Sequence, residues 1–221
     1  MIYTLGSIKG GAGKTTVATN LAAWLVGQGN DVLLVDADDQ ASASDFSAYR
    51  EQTKGATGYT LVQITGAHVR KQVESLRPKY DHIVIDTGGR DTTSQRAALF
   101  VCDVFMTPFN PRSYDLWTVT KVCDLVEEVQ ATRNQPMQAY SFINRADIRS
   151  QDNRDMSQAL QTYEALSFLP FSLSNRKAFA NSAAYGLAVF EMEQPDVKAV
   201  AELDALFNAI KNGTHATAIA R

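Results

Sequence analysis

Short apolar, β-branched runs alternate along the chain with longer stretches in which apolar positions recur at helical spacing. The runs Ile2–Ser7, Val32–Asp36, Tyr59–Ile64, His82–Asp86, Val104–Pro108, Ala139–Ile143 and Leu166–Leu169 read as strands. The stretches Lys14–Gly27, Ser42–Glu51, Ala67–Leu76, Thr93–Val101, Tyr114–Ala131, Asn153–Glu164, Arg176–Ala184 and Pro195–Lys211 read as helices. This rhythm predicts an α/β fold: a mostly parallel twisted sheet of about seven to eight strands with helices on both faces. Gly55–Gly58 is a turn inside the domain, because the rhythm resumes without a composition shift. One domain is expected over residues 1–211. The apolar stripe stops there, so 212–221 is expected to form a flexible tail.

A length of 221 residues with 45% hydrophobic positions is enough for one substantial core, which excludes a disordered or disulfide-stapled protein. Twenty-one basic and 24 acidic residues leave a net charge of −3, so any nucleic-acid binding must rest on a local patch. Cys102 and Cys123 have no metal-ligand spacing and are expected as buried thiols. His68, His82 and His215 are scattered, with no acid–His–nucleophile arrangement. No apolar run approaches the roughly 18 residues of a membrane span, and the strand beginning at Ile2 leaves no room for a signal peptide, so a cytoplasmic location is expected.

The chemistry concentrates at Gly6-Ser7-Ile8-Lys9-Gly10-Gly11-Ala12-Gly13-Lys14-Thr15-Thr16, between the first strand and the first helix. Gly10, Gly11 and Gly13 allow the backbone to bend so that successive N–H groups point inward, and the helix start adds its positive dipole end. Such a loop cradles phosphate oxygens. Lys14 is placed to reach the β and γ phosphates, and the Thr15 hydroxyl to ligate a bridging Mg²⁺. A dinucleotide-binding reading fails on detail, since the third glycine of that fingerprint falls at Thr16. Two further strands end in acids, Asp36-Ala37-Asp38-Asp39 and Asp86, at the edge where open α/β sheets bind ligands. An acid at the mouth of a buried strand needs a partner, and hydrated Mg²⁺ suits it. Gly88-Gly89 then supplies a segment able to change backbone state, with the Gly88 N–H near a γ-phosphate; Arg90 and Asp91 have an open role.

The run Lys9-Gly10-Gly11-Ala12-Gly13-Lys14-Thr15-Thr16 resembles the deviant P-loop of the ParA/MinD family of dimerising ATPases. That resemblance implies ATP and Mg²⁺ as cofactors and a homodimer when ATP is bound. It implies that Lys9 crosses the interface to the partner's phosphates, that Asp36 and Asp86 hold Mg²⁺ through water, and that Asp38 orients the attacking water. The family's Asp-x-Asp-Pro-Gln is departed from here only by Asp39 in the proline position. Asn144, closing another strand, is the expected adenine contact, and Leu169-Pro170-Phe171 resembles the base-flanking segment. Phe109, Tyr114 and Trp117 read mainly as packing.

The C-terminal part resembles short ParA-like ATPases that position cargo over the nucleoid. This implies nonspecific double-stranded DNA as a partner, gripped electrostatically, with Arg176, Lys177, Lys198 and Lys211 as candidates. It also implies a ParB-like or cargo-adaptor protein that stimulates an otherwise slow hydrolysis. A MinD-like membrane role would need a basic amphipathic C-terminal helix, which Thr214–Arg221 does not supply, so no membrane partner is expected. A dethiobiotin-synthetase-like ligase shares the phosphate cradle, but Lys9 and the Asp36-x-Asp38 pair argue against it.

Overall fold

The computed structural model describes residues 1–90, 92–111, 113–147 and 150–219, with the side chains of 113–116 and 214–219 outside the description. Eight strands form the sheet: β1 (Ile2–Leu5), β2 (Val32–Ala37), β3 (Thr60–Gln63), β4 (His82–Thr87), β5 (Val104–Phe109), β6 (Gln138–Ala146), β7 (Ser167–Phe168) and β8 (Leu173–Ser174). Their order is β3-β2-β4-β1-β5-β6-β7, with β8 also pairing β6, and every pairing is parallel. Among the described residues, the helices α1 (Lys14–Gly27), α2 (Ser42–Lys54), α3 (His68–Leu76), α4 (Thr93–Val101), α5 (Ser113–Thr132) and α6 (Gln151–Leu160) connect successive strands, and α7 (Lys177–Ala183) and α8 (Val197–Ile219) follow β8.

The central strands are apolar along their whole length because both faces are covered. On one face Ile83, Ile85 and Phe105 pack against α3, α4, α5 and α6. On the other Leu34, Val84 and Met106 meet α1 and α8, joined by Ala43 from α2. Cys102 and Cys123 are buried free thiols, as expected. Phe109 is core, but Trp117 is 71% exposed and does not pack as the sequence suggests; Tyr114's side chain and Asp91 lie outside the described residues.

Helix α8 runs on through Asn212-Gly213 to Ile219, past the end that its apolar stripe predicts at Lys211. A Cβ at Gly213 would lie 2.7 Å from the Tyr140 hydroxyl, so this glycine serves close packing against β6 rather than stopping the helix. Among the described residues no helix is long and apolar enough to cross a membrane.

Candidate nucleotide site

The loop from Gly6 to Gly13 leaves the C-terminal end of β1 at the centre of the sheet. Gly13 sits just ahead of α1 with φ 92°, a left-handed conformation open to glycine, and its missing Cβ is needed as well. A Cβ there would lie 2.1 Å from Asn144 Nδ2. Substituting Gly13 with alanine is therefore expected to cost at least tenfold in nucleotide affinity, measurable by titration with ADP.

Lys14 is buried and its ammonium donates to Ser7 Oγ at 3.3 Å, while Ser7 Oγ donates to the Lys9 carbonyl at 2.8 Å. Burial lowers the Lys14 pKa, against the upward pull of Asp86 and Asp38. The loop after β4 closes over the same place. A Cβ on Gly89 would stand 2.7 Å from Gly10 Cα, and one on Gly88 3.1 Å from Asp38 Oδ1, so the two glycines bring both loops into contact. Buried Gln95 lies between them, and with its amide turned to face the carbonyls of Ser7 and Arg90 its nitrogen donates to both.

The acids divide into two kinds. Asp36 and Asp86 are register neighbours on β2 and β4, and both are fully buried. Asp36 Oδ2 accepts from the Ser44 amide at 2.8 Å and the Ser44 hydroxyl at 2.7 Å, and Oδ1 from the Asp38 amide at 3.3 Å. Neither oxygen of Asp86 has a hydrogen-bond partner among the described residues. Burial pushes the Asp86 carboxyl up to about 7, against the neighbouring Thr15 hydroxyl and Lys14 ammonium, which favour the charged form. An ionised acid left bare in the interior is costly unless a cation serves it, so this carboxylate fits a hydrated divalent ion. No three Asp, Glu, His or Cys among the described residues converge as direct ligands.

A cavity of about 700 Å³ opens between these loops, lined by Gly10, Gly11, Gly13, Lys14, Thr15 and Thr16 on one side and Asp38, Gly88 and Arg90 on the other. Ala12 is buried behind it, and its carbonyl accepts from Asn144 Nδ2 at 2.7 Å. Lys9 is half-buried and stands outside the lining. Beside the P-loop lies a second cavity, of about 220 Å³, between Thr16, Asn144 and the segment Ser174-Asn175-Arg176 with Phe179.

Asn144 thus reaches the second cavity but commits its amide nitrogen to the P-loop. Pro170 is exposed and lies in neither lining. The chain turns after β7 and re-enters as β8, and Ser174–Arg176 form one wall of the smaller cavity. Arg176 corrects a second expectation. It donates to Glu202 at 2.8 Å and pairs with Asp196 at 3.7 Å, which makes it a wall residue, not an available cation on the surface. Lys211 donates to Gln28 at 2.7 Å, whereas Lys177 and Lys198 are exposed.

With this geometry in place, comparison with known proteins decides the family. Residues 3–189 match the model of the CobQ/CobB/MinD/ParA nucleotide binding domain. The chain belongs to this family. Among relatives of the CobQ/CobB/MinD/ParA family, it is 26% identical over 210 residues to the maintenance of carboxysome distribution protein A of Halothiobacillus neapolitanus, covering 93% of this chain and 94% of that one. Two solved structures share the fold. Apo McdA of Cyanothece superposes with a TM-score of 0.78 at 17% identity, over 95% of this chain and 98% of that one. The septum site-determining protein MinD of Pyrococcus horikoshii, complexed with Mg-ADP, gives 0.76 at 20% identity over 95% of both chains.

Ser44, Arg145 and the Ser174–Arg176 wall escape the sequence reading. Ser44 lies eight residues beyond Asp36, and only the way α2 folds back from the end of β2 brings it onto that carboxylate.

Proposed function

We propose that this chain is an ATPase switch that pairs with a second copy when ATP is bound, holds nonspecific double-stranded DNA in that state, and is reset by partner-stimulated hydrolysis. The observation that carries the reading is the division of labour between two lysines of one loop. Lys14 is buried inside the phosphate cradle, and Lys9, five residues earlier, stands outside its lining. A loose phosphoryl-transfer transition state spreads charge over the γ-phosphoryl oxygens, and a second cation supplied by a partner copy stabilises it only in the dimer.

In this reading Lys14 binds the β and γ oxygens, with the N–H groups of residues 10–16 around them. Gly88 donates its N–H to the γ-phosphate. Asp38, half-buried against Gly88, orients the attacking water. The Thr15 hydroxyl, and Asp86 and Asp36 through water, would hold Mg²⁺, which would supply charge neutralisation at the phosphates. Asn144 and the 174–179 wall enclose the base. Lys177 and Lys198 face the DNA phosphates, and a ParB-like or cargo-adaptor protein triggers release. The cargo is a plasmid, a chromosomal locus or a protein assembly; likeness to a carboxysome-distribution protein over nearly the whole chain favours the last. The protein would work in the cytoplasm, on the nucleoid.

The test is equilibrium binding to random-sequence duplex DNA at low and moderate salt, with ATP, with ADP, and with ATP plus the Lys9→Ala variant. Binding is expected with ATP alone, weakening steeply as salt rises, and absent with ADP or in the variant. Equal binding in ADP and ATP would overturn the switch, and no binding in any condition would remove DNA from the reading.

A further inference from the structure

Thr16 and Arg145 are the residues common to the linings of the two cavities. Arg145 is the extra residue of a bulge in β6: Asn144 pairs with Leu173 and Ala146 with Ser174, leaving Arg145 without a counterpart on β8. Its backbone is left-handed, with φ 54°, a conformation that side chains with a Cβ adopt at a cost. The side chain is exposed and makes no hydrogen bond or ion pair with any described residue. The protein thus holds a long cation in strained backbone at the meeting of two cavities, where it gains nothing from its own neighbours. Strain and bulges of this kind mark places where a side chain is re-aimed at a ligand.

With the phosphate chain in the larger cavity and the base in the smaller one, the place between them carries the sugar and the α-phosphate. We propose that Arg145 binds the nucleotide at its α-phosphate, the guanidinium donating to the non-bridging oxygens. This rests on the nucleotide reading given above and adds to it a residue that serves ATP and ADP alike, where Lys14 serves the terminal phosphates. Arg176, the other guanidinium of the smaller cavity, is tied to Glu202 and Asp196 and is not available for that contact.

The experiment is calorimetric binding of ADP and of AMPPNP to the wild type and to Arg145→Ala, Arg145→Lys and Arg145→Gly, with thermal unfolding of each nucleotide-free protein. Arg145→Ala is expected to weaken both nucleotides by the same factor, about tenfold, with partial recovery in Arg145→Lys. The nucleotide-free Tm is expected to be unchanged in Arg145→Ala and raised in Arg145→Gly, where the left-handed backbone is relaxed. Unchanged ADP affinity in Arg145→Ala would overturn the proposal. So would a loss confined to AMPPNP, which would put the guanidinium at a γ-phosphate or on the second copy's nucleotide, or an ADP loss matched by a lower Tm, which would make it a structural residue. Failure of the nucleotide reading looks different: the wild type itself would bind neither ligand, or Lys14→Ala would bind both as well as the wild type.

Discussion

Replacing Asp38 with alanine is expected to lower ATP turnover by about a hundredfold or more while leaving ATP bound and the two copies paired. The carboxylate is half-buried beside Gly88, and among the described residues its Oδ1 accepts only the Gln40 amide, at 3.2 Å. It is therefore free to hold a water over the γ-phosphate, and its removal opens no cavity in the core. Asp36 and Asp86 differ in this respect, since they sit at 0% exposure, and changing either would disturb the packing at the ends of β2 and β4 as well as any binding there. Single-turnover hydrolysis combined with light scattering separates the two effects. Unaltered turnover in the variant would mean that the water is positioned elsewhere; loss of ATP binding would mean that Asp38 belongs to the cradle.

The second large effect lies away from the nucleotide. Arg50 of α2 is 2% exposed and meets Glu191 through both terminal guanidinium nitrogens, one of them at 2.7 Å. It also donates to the carbonyls of Thr57 and Gly186. Glu191→Ala leaves that guanidinium buried without its counter-charge, which costs about 3–5 kcal/mol and for a domain of this size about 10 °C in Tm. Lys54, at 41% exposure, adds a more solvent-screened contact to the same carboxylate, at 2.6 Å. Burial by itself would raise the Glu191 carboxyl, but hydrogen bonds from Arg50 and Lys54 outweigh it and hold the group down at about 2. A carboxyl depressed by folding contributes its stability above the ordinary value near 4.5 and loses it as the pH falls toward 2. Wild-type stability should therefore decline over that window, and Glu191→Gln should lack that part of the decline. Denaturant unfolding between pH 7 and 2.5 measures both, and a Glu191→Ala protein as stable as the wild type at pH 7 would show that the pair contributes nothing net.

Local signals explain what was legible in the sequence. Helices α1 and α4 fall on the predicted residues because their starts are written in the chain: Gly13 ahead of Lys14, and Thr92, whose hydroxyl accepts the Gln95 amide at 3.2 Å. Helix α6 begins two residues earlier than its apolar pattern implies because Ser150 caps it at the Asp152 amide. The P-loop and the acids ending β2 and β4 were legible for the same reason, since a strand, its terminal charge and the next helix are contiguous. What was hidden depends on pairings across long separations. Two residues of β8 carry no periodicity, yet they set the bulge at Arg145 and bring Ser174 rather than Pro170 to the smaller cavity. Arg176 read as a surface cation because Glu202, which holds it, is 26 residues away. Trp117 read as packing because hydropathy alone cannot distinguish an apolar residue on the core face from one left outside.

Glu191 and Glu202 also bear on where the folding unit ends. The family match closes at residue 189, two positions before the carboxylate that neutralises Arg50 and thirteen before the one that fixes Ser174 and Arg176. A fragment cut at the boundary of sequence recognition would keep every residue that lines the larger cavity, and Asp36 and Asp86. It would also strand one buried guanidinium, release the wall of the smaller cavity, and strip α8 from one face of the sheet. The stretch that sequence recognition covers is thus shorter than the stretch that neutralises Arg50, fixes the wall of the smaller cavity and covers the sheet, which runs on through Ile210.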